Sequence, residues 1–104
     1  MEIQFNTDKN IEGKERLEAY VKELVGGSLK RFEDRVTRLE VYLSDENSHK
    51  ESQDDKKCVL EARPNGMKPI AVTCQEATIE KAINGAIDKM KASLTKVIGR
   101  LQNH

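Results

Sequence analysis

This 104-residue sequence has no excess of charge of either sign, because 18 basic side chains balance 18 acidic ones. A neutral chain has no overall electrostatic attraction to nucleic acid, so such a partner must meet a local basic patch. Long apolar runs are also absent, and no stretch approaches the roughly 18–20 residues that span a bilayer. Residues 1–5 have neither the basic start nor the apolar stretch of a signal peptide. We therefore expect a cytoplasmic protein with no membrane partner.

Cysteine is scarce. Cys58 and Cys74 are the only two, and they form neither a CxxC pair nor part of a cysteine-rich framework. In a reducing compartment, two such thiols are usually small buried apolar side chains. The alternative is a redox pair, which requires that the two cysteines face each other.

Motifs for catalysis and cofactor binding are missing as well. The chain has no serine nucleophile elbow, Walker loop, GxGxxG turn or HExxH pair. His49 lies in a polar acidic segment and His104 is the terminal residue, so neither has the ordered setting of a catalytic base. We expect no enzymatic activity, no cofactor and no small-molecule substrate.

The acidic residues around His49 are the one arrangement that resembles a metal cluster. They are Asp45, Glu46, Glu51, Asp54 and Asp55. Residues 45–55 are polar throughout and show no strand or helix pattern, which is typical of a solvated loop. Because the carboxylates have no fixed spacing, they indicate a solvated acidic loop more than a metal site, and no metal is expected.

Four short strands are predicted by alternating apolar residues. Their inward positions are Ile3 and Phe5; Leu39, Val41 and Leu43; Cys58, Leu60 and Ala62; and Ile70, Val72 and Cys74. The turn Pro64-Asn65-Gly66 connects the last two strands as a hairpin. One register that matches their inward faces sets Leu60 opposite Val72 and Cys58 opposite Cys74.

Two helices are predicted by the spacing of other apolar residues. In residues 10–33 the apolar stripe slips at Gly26-Gly27, which predicts a kink or a single-turn bulge there. The residues of this stripe are Leu17, Tyr20, Val21, Leu24, Leu29 and Phe32. The second helix starts after Thr78, a suitable N-cap, and has a longer apolar stripe. That stripe consists of Ile79, Ile83, Ile87, Met90, Leu94, Val97, Ile98 and Leu101.

The resulting order, β-α-β-β-β-α, predicts an α+β fold that forms a single domain over residues 1–104. The first two strands are parallel if they are neighbours, and the hairpins make the other pairs antiparallel. Because each helix is apolar on one side only, both should cover the same face of a four-stranded sheet.

The last helix has two different polar flanks when about 100° is taken per residue. One flank is mixed in sign and includes Glu80, Asp88, Lys91 and Thr95. The other carries three cations within a stripe about 40° wide. These cations are Lys89, Lys96 and Arg100. We name this second flank the cation flank.

Small residues border the cation flank: Ala82, Gly85, Ala92 and Ser93. Beside aligned cations, small side chains let a phosphate backbone approach closely. They are equally compatible with close packing of the other helix, in which case the three cations form a solvated face. Further cations in and after the first helix are diluted there by glutamates; they are Lys22, Lys30, Arg31, Arg35 and Arg38.

Three features together resemble one known family. They are the element order, the lead Asn10-Ile11-Glu12 into the first helix, and the run from Ala82 to Met90, AINGAIDKM. The chain resembles the ribosome hibernation promoting factors, a family that includes the ribosome-associated inhibitor protein Y and was once labelled sigma-54 modulation protein. The resemblance covers nearly the whole chain and indicates the short form of the family.

This resemblance implies a βαβββα domain, similar to double-stranded-RNA-binding folds, that binds the small ribosomal subunit through ribosomal RNA. Lys89, Lys96 and Arg100 in the last helix, and Arg35 before the second strand, occupy positions where the family has basic residues. The implied function is ribosome-associated inhibition of translation under stress. The neutral charge keeps an alternative open, a protein-interaction module with this fold that has lost ribosome binding.

The sequence also departs from the family pattern at four places. Asn84 replaces the acid of an alanine-isoleucine-aspartate motif, and Thr78 stands where an aspartate is usual. Ser93 replaces a common glutamine, and the Gly26-Gly27 pair is an unusual insertion.

Overall fold

The structure is a computed structural model that describes residues 1–46 and 55–102, with side chains described as far as Gly99. Its strands are β1 (Glu2–Thr7), β2 (Val36–Asp45), β3 (Lys56–Pro64) and β4 (Ile70–Glu76). Its helices are α1 (Lys14–Ser28) and α2 (Ile79–Gln102), and a short 3₁₀ turn spans Lys30–Phe32. The predicted order and the α+β class are confirmed.

The four strands form one mixed sheet in the order β1-β2-β3-β4. β1 and β2 are parallel, as the crossover connection through α1 allows, and the other two pairs are antiparallel. Leu60 lies opposite Val72, and Cys58 lies opposite Cys74. The predicted register of the hairpin is therefore confirmed.

One face of the sheet carries the core and the other faces solvent. Leu39, Leu43 and Leu60 are fully buried or nearly so on the helix-covered face. Removing each of these side chains from water contributes roughly 1.5–3 kcal/mol to folding. Tyr42 and Thr73, which point the other way, are exposed. The strict alternation of the strands thus fixes which face receives the helices.

Helix α1 is shorter than predicted at both ends. It begins after Gly13, which has a φ of 67° that suits a residue without a side chain, and it ends at Ser28. The prediction of a kink inside a continuous helix was wrong, because the chain leaves the helix and makes the 3₁₀ turn. That tighter turn brings Leu29 and Phe32 into the core and accounts for the slip in the apolar stripe.

Tyr20 was predicted to belong to the buried stripe of α1, and this was also wrong. Val21 and Val25 are completely buried, whereas 44% of Tyr20 is exposed. Tyr20 lies about 100° around the helix from Val21, at the edge of the stripe. The polar phenol group lets the ring remain at the boundary with water.

Helix α2 follows the prediction closely. The Thr78 hydroxyl accepts a hydrogen bond from the backbone N–H of Lys81 at 3.1 Å, which confirms the N-cap. Ile83, Met90 and Leu94 are completely buried against the sheet. In the part of the chain that the structure describes, neither helix is long and apolar enough to cross a membrane.

Candidate nucleic-acid interface

The cation flank of α2 faces the outer edge of the sheet, on the side of β4. Two contacts fix this orientation. The backbone of Gly85 packs against the Cys74 side chain, and Lys89 reaches the backbone of Thr73. The mixed flank faces the 3₁₀ turn on the opposite side of the helix, since the Thr95 hydroxyl accepts a hydrogen bond from Arg31 there. Three of the four cations proposed from the sequence therefore belong to a helix whose basic side overhangs a strand edge.

Lys89 has a structural partner. Its Nζ donates a hydrogen bond to the carbonyl oxygen of Thr73 at 2.6 Å. β4 is an edge strand, and a lysine over an edge carbonyl also discourages pairing with another chain. An ammonium group has three donors, so Lys89 can hold this carbonyl and still present two donors to a phosphate.

Lys96 is exposed about two helical turns beyond Lys89. No ion pair or hydrogen bond of its side chain is recorded among the described residues. Its ammonium group is therefore more available to an anionic partner than that of Lys89. Arg100 lies in the last turns of α2, but its side chain is outside the described part of the structure.

Arg35 lies between the 3₁₀ turn and β2, just after the residues of that turn that contact Thr95 and Gly99 in the last part of α2. Its carbonyl oxygen accepts the N–H of Asn65 at 2.9 Å, so the turn between β3 and β4 fixes its backbone. Its side chain is exposed. No hydrogen bond or ion pair recorded between the described side chains joins Arg35 to Lys89 or Lys96, so these three predicted residues do not form one bonded cluster.

The small residues beside the cation flank divide between two roles. Ala82 is completely buried, and Gly85 packs on Cys74, so both allow close packing of α2 against the sheet rather than against α1. Ala92 is exposed and Ser93 is half-buried. These two leave space beside Lys89 and Lys96, as close approach of a phosphate backbone requires.

A second basic feature, at the mixed flank, received little weight from the sequence. The Arg31 guanidinium donates a hydrogen bond to the Thr95 hydroxyl at 2.5 Å and lies 4.6 Å from the centre of the Phe32 ring. Arg31, Phe32, Thr95 and Gly99 line a shallow groove between the 3₁₀ turn and α2. Helical spacing could not reveal this arrangement, because the chain leaves the helical path before Arg31.

The two described ends of the acidic segment contact a cation from β3. The Lys56 ammonium lies 3.5 Å from a carboxylate oxygen of Asp45 and 3.0 Å from one of Asp55. These carboxylates raise the pKa of Lys56, the hydrogen bond to Asp55 contributing most. No group of residues able to hold a metal is found within residues 1–46 and 55–102. His49, Glu51 and Asp54 lie outside the described residues.

Comparison with known proteins points to a single family. The sequence model of the family described as sigma 54 modulation protein / S30EA ribosomal protein matches residues 5–102. No curated protein sequence matches the chain.

Solved structures with the same fold include the following two. A ribosomal subunit interface protein from Coxiella burnetii superposes with a TM-score of 0.70 at 15% identity, over 95% of this chain and 99% of that one. The N-terminal domain of protein Y from Thermus thermophilus superposes with a TM-score of 0.72 at 21% identity, over 93% and 99%. At these identities the likeness shows that the architecture is shared.

Proposed function

This chain belongs to the sigma 54 modulation protein / S30EA ribosomal protein family, and from that membership we propose that it is a ribosome hibernation factor. It binds the small ribosomal subunit through ribosomal RNA and inhibits translation by occupying the subunit. The observation that carries the proposal is the family match, which extends over residues 5–102. Two proteins of the same fold, described as a ribosomal subunit interface protein and as protein Y, also support it.

The family is one of ribosome-associated factors and is not known as a family of enzymes. A protein that acts on ribosomes works in the cytoplasm, and binding of this kind requires no cofactor. To inhibit translation by occupying the subunit, the protein needs only affinity for the subunit and a shape that fits it. A rigid sheet with an exposed basic helix is sufficient for this.

The RNA contacts that we propose are made by Lys89, Lys96 and Arg100 of the cation flank and by Arg35. Lys96 is a stronger candidate than Lys89, because its exposed ammonium group has no recorded partner and is free to meet a phosphate. Lys89 is held in place by Thr73, which reduces the entropy lost when it also binds a phosphate. Such contacts displace counterions from RNA, so the affinity should fall steeply with salt.

A second candidate function is supported by two observations. The chain has zero net charge, and Lys89 already has a partner. Both suit a protein-interaction module that keeps the family fold without binding ribosomes.

Sedimentation separates the two functions. The tagged chain is expressed in stationary-phase cells, and the lysate is run on a sucrose gradient at low salt. A ribosome-bound factor appears in the fractions that contain small subunits, and it leaves them as the salt is raised. Absence from every ribosomal fraction at low salt would contradict the proposal and favour the interaction module.

A further inference from the structure

Cys58 and Cys74 are neighbours across the sheet. They are paired positions of the antiparallel strands β3 and β4, both side chains lie on the helix-covered face, and both are free thiols. The Thr73 carbonyl points away from β3 toward Lys89, so Cys74 is a position that exchanges backbone hydrogen bonds with Cys58. At such positions the Cα atoms are about 5.5 Å apart, within the range of about 4.4–6.8 Å that a disulfide accepts.

We propose that Cys58 and Cys74 form a modification site, a dithiol that a peroxide oxidises to a cross-strand disulfide. The register pairs the two thiols. At a hydrogen-bonded position the Cβ atoms are about 5.5 Å apart, and a disulfide needs about 3.5–4.5 Å, so the two strands must draw together locally by roughly 1 Å for the bond to form. No residue of the cation flank gains or loses an atom in the reaction, so the test needs no ribosome.

The chemistry begins at Cys74, which is 8% exposed while Cys58 is 0% exposed. The Cys74 thiolate attacks one peroxide oxygen, the O–O bond breaks, and Cys74 becomes a sulfenic acid as one water leaves. The Cys58 sulfur then attacks the Cys74 sulfur and displaces a second water. One peroxide is reduced to two waters while two thiols are oxidised to one disulfide.

Reaction in the folded state is slow, because the thiolate is scarce. Burial raises the pKa of Cys58 from 9.0 to about 12, and it also raises the pKa of Cys74, where Glu76 adds to the effect and Lys89 opposes it. The site therefore responds to sustained exposure to oxidant, in contrast to a fast peroxide sensor, whose cysteine has a lowered pKa.

The test is mass spectrometry of the full chain after graded exposure to hydrogen peroxide under native conditions. We expect both thiols to disappear together, with a mass loss of two hydrogens, no dimer on a non-reducing gel, and full recovery with reductant. Peptide mapping should link the peptides that contain Cys58 and Cys74. Circular dichroism during the exposure verifies that the protein stays folded.

Two single variants make the test specific. In Cys58→Ser the sulfenic acid of Cys74 has no resolving thiol, so a 1,3-dione reagent should trap it. In Cys74→Ser the completely buried Cys58 should stay reduced. The proposal is overturned if wild-type protein accumulates sulfinic acid at Cys74, links only between molecules, or oxidises only in denaturant that unfolds it.

Discussion

Gly85 of α2 and Cys74 of β4 are packed so closely that a Cβ at position 85 would overlap the Cys74 Sγ atom and lie 3.4 Å from Cys74 Cβ. Helix α2 can approach the sheet at this point because residue 85 has no side chain. The same approach positions the cation flank over the edge of β4, since Lys89 follows Gly85 by one helical turn.

The first prediction concerns this contact. Gly85→Ala should destabilise the protein by about 1–2 kcal/mol, because overpacking outweighs the helix-propensity gain of up to about 1 kcal/mol. In a Cys74→Ala background the clash is absent, and the same substitution should be neutral or stabilising. Denaturant unfolding of wild type, the two single variants and the double variant measures the coupling between positions 74 and 85. If the stability changes of the single variants add up to that of the double variant, the contact has no energetic role.

Two other glycines provide the second prediction, which is also a control. A Cβ at Gly27 or Gly99 would have no atom within 4 Å, and both residues are helical without a positive φ. Gly27→Ala and Gly99→Ala should each raise stability by roughly 0.5–1 kcal/mol through helix propensity alone. A lower melting temperature for either variant would mean that the helix needs the glycine for some other reason.

The third prediction is a pH dependence that follows from Cys58. Its pKa is raised from 9.0 to about 12 in the folded protein by burial. Above about pH 9 the unfolded chain releases this proton while the folded chain retains it, so the stability falls as pH rises toward 12. The thiol contributes a slope of up to about 1.4 kcal/mol per pH unit in that window.

Lysines and tyrosines in general also titrate in this pH range. The contribution of Cys58 is therefore measured as the difference between the stability curves of wild type and of a variant without the thiol. Cys58→Ala should lose less stability than wild type between pH 9 and pH 11, whatever its stability at pH 7. Parallel curves for the two proteins would show that the Cys58 thiol titrates normally.

The fourth prediction separates the two lysines of the cation flank. Lys89→Met removes the donor to Thr73 and should lower stability by less than about 1 kcal/mol, since water can replace an exposed hydrogen bond. Lys96→Met should leave stability unchanged. Thermal melting compares them, and equal melting temperatures would show that the Lys89 hydrogen bond contributes nothing measurable.

The fold was predictable from the sequence because the patterns that indicate its strands and helices lie within short stretches of the chain. Alternation at Leu39, Val41 and Leu43 gives both a strand and its buried face. Matching the inward faces of the last two strands admits the register that the structure has, with Leu60 opposite Val72. The end of α1 was not predictable in the same way. A slip in the apolar stripe is compatible with a bulge and with the end of the helix. The structure shows that the helix ends and that a 3₁₀ turn follows it.

The candidate site was only partly predictable for a related reason. A helical wheel groups Lys89 with Lys96, but it contains no information about the strand beneath them, so it misses the bond from Lys89 to Thr73. The wheel also could not find the contact between Arg31 and Thr95, which joins residues 64 positions apart in the chain. Contacts of this kind depend on tertiary structure.

The central claim is that the protein binds the small ribosomal subunit through RNA phosphates contacted by the cation flank. The most direct measurement is the affinity of the purified protein for isolated small subunits across a salt series. Wild type is compared with two charge reversals on α2, Lys96→Glu on the cation flank and Lys91→Glu on the mixed flank. Both lysines are exposed, so the two variants make the same charge change on the same helix.

We expect binding to small subunits, with an affinity that falls linearly with salt on a log–log plot. Lys96→Glu should weaken this binding at least tenfold and reduce the slope by roughly 1, the loss of about one phosphate contact. Lys91→Glu should have a much smaller effect, and neither variant should change the melting temperature appreciably. Equal losses for the two variants, or no binding by wild type at low salt, would contradict the claim.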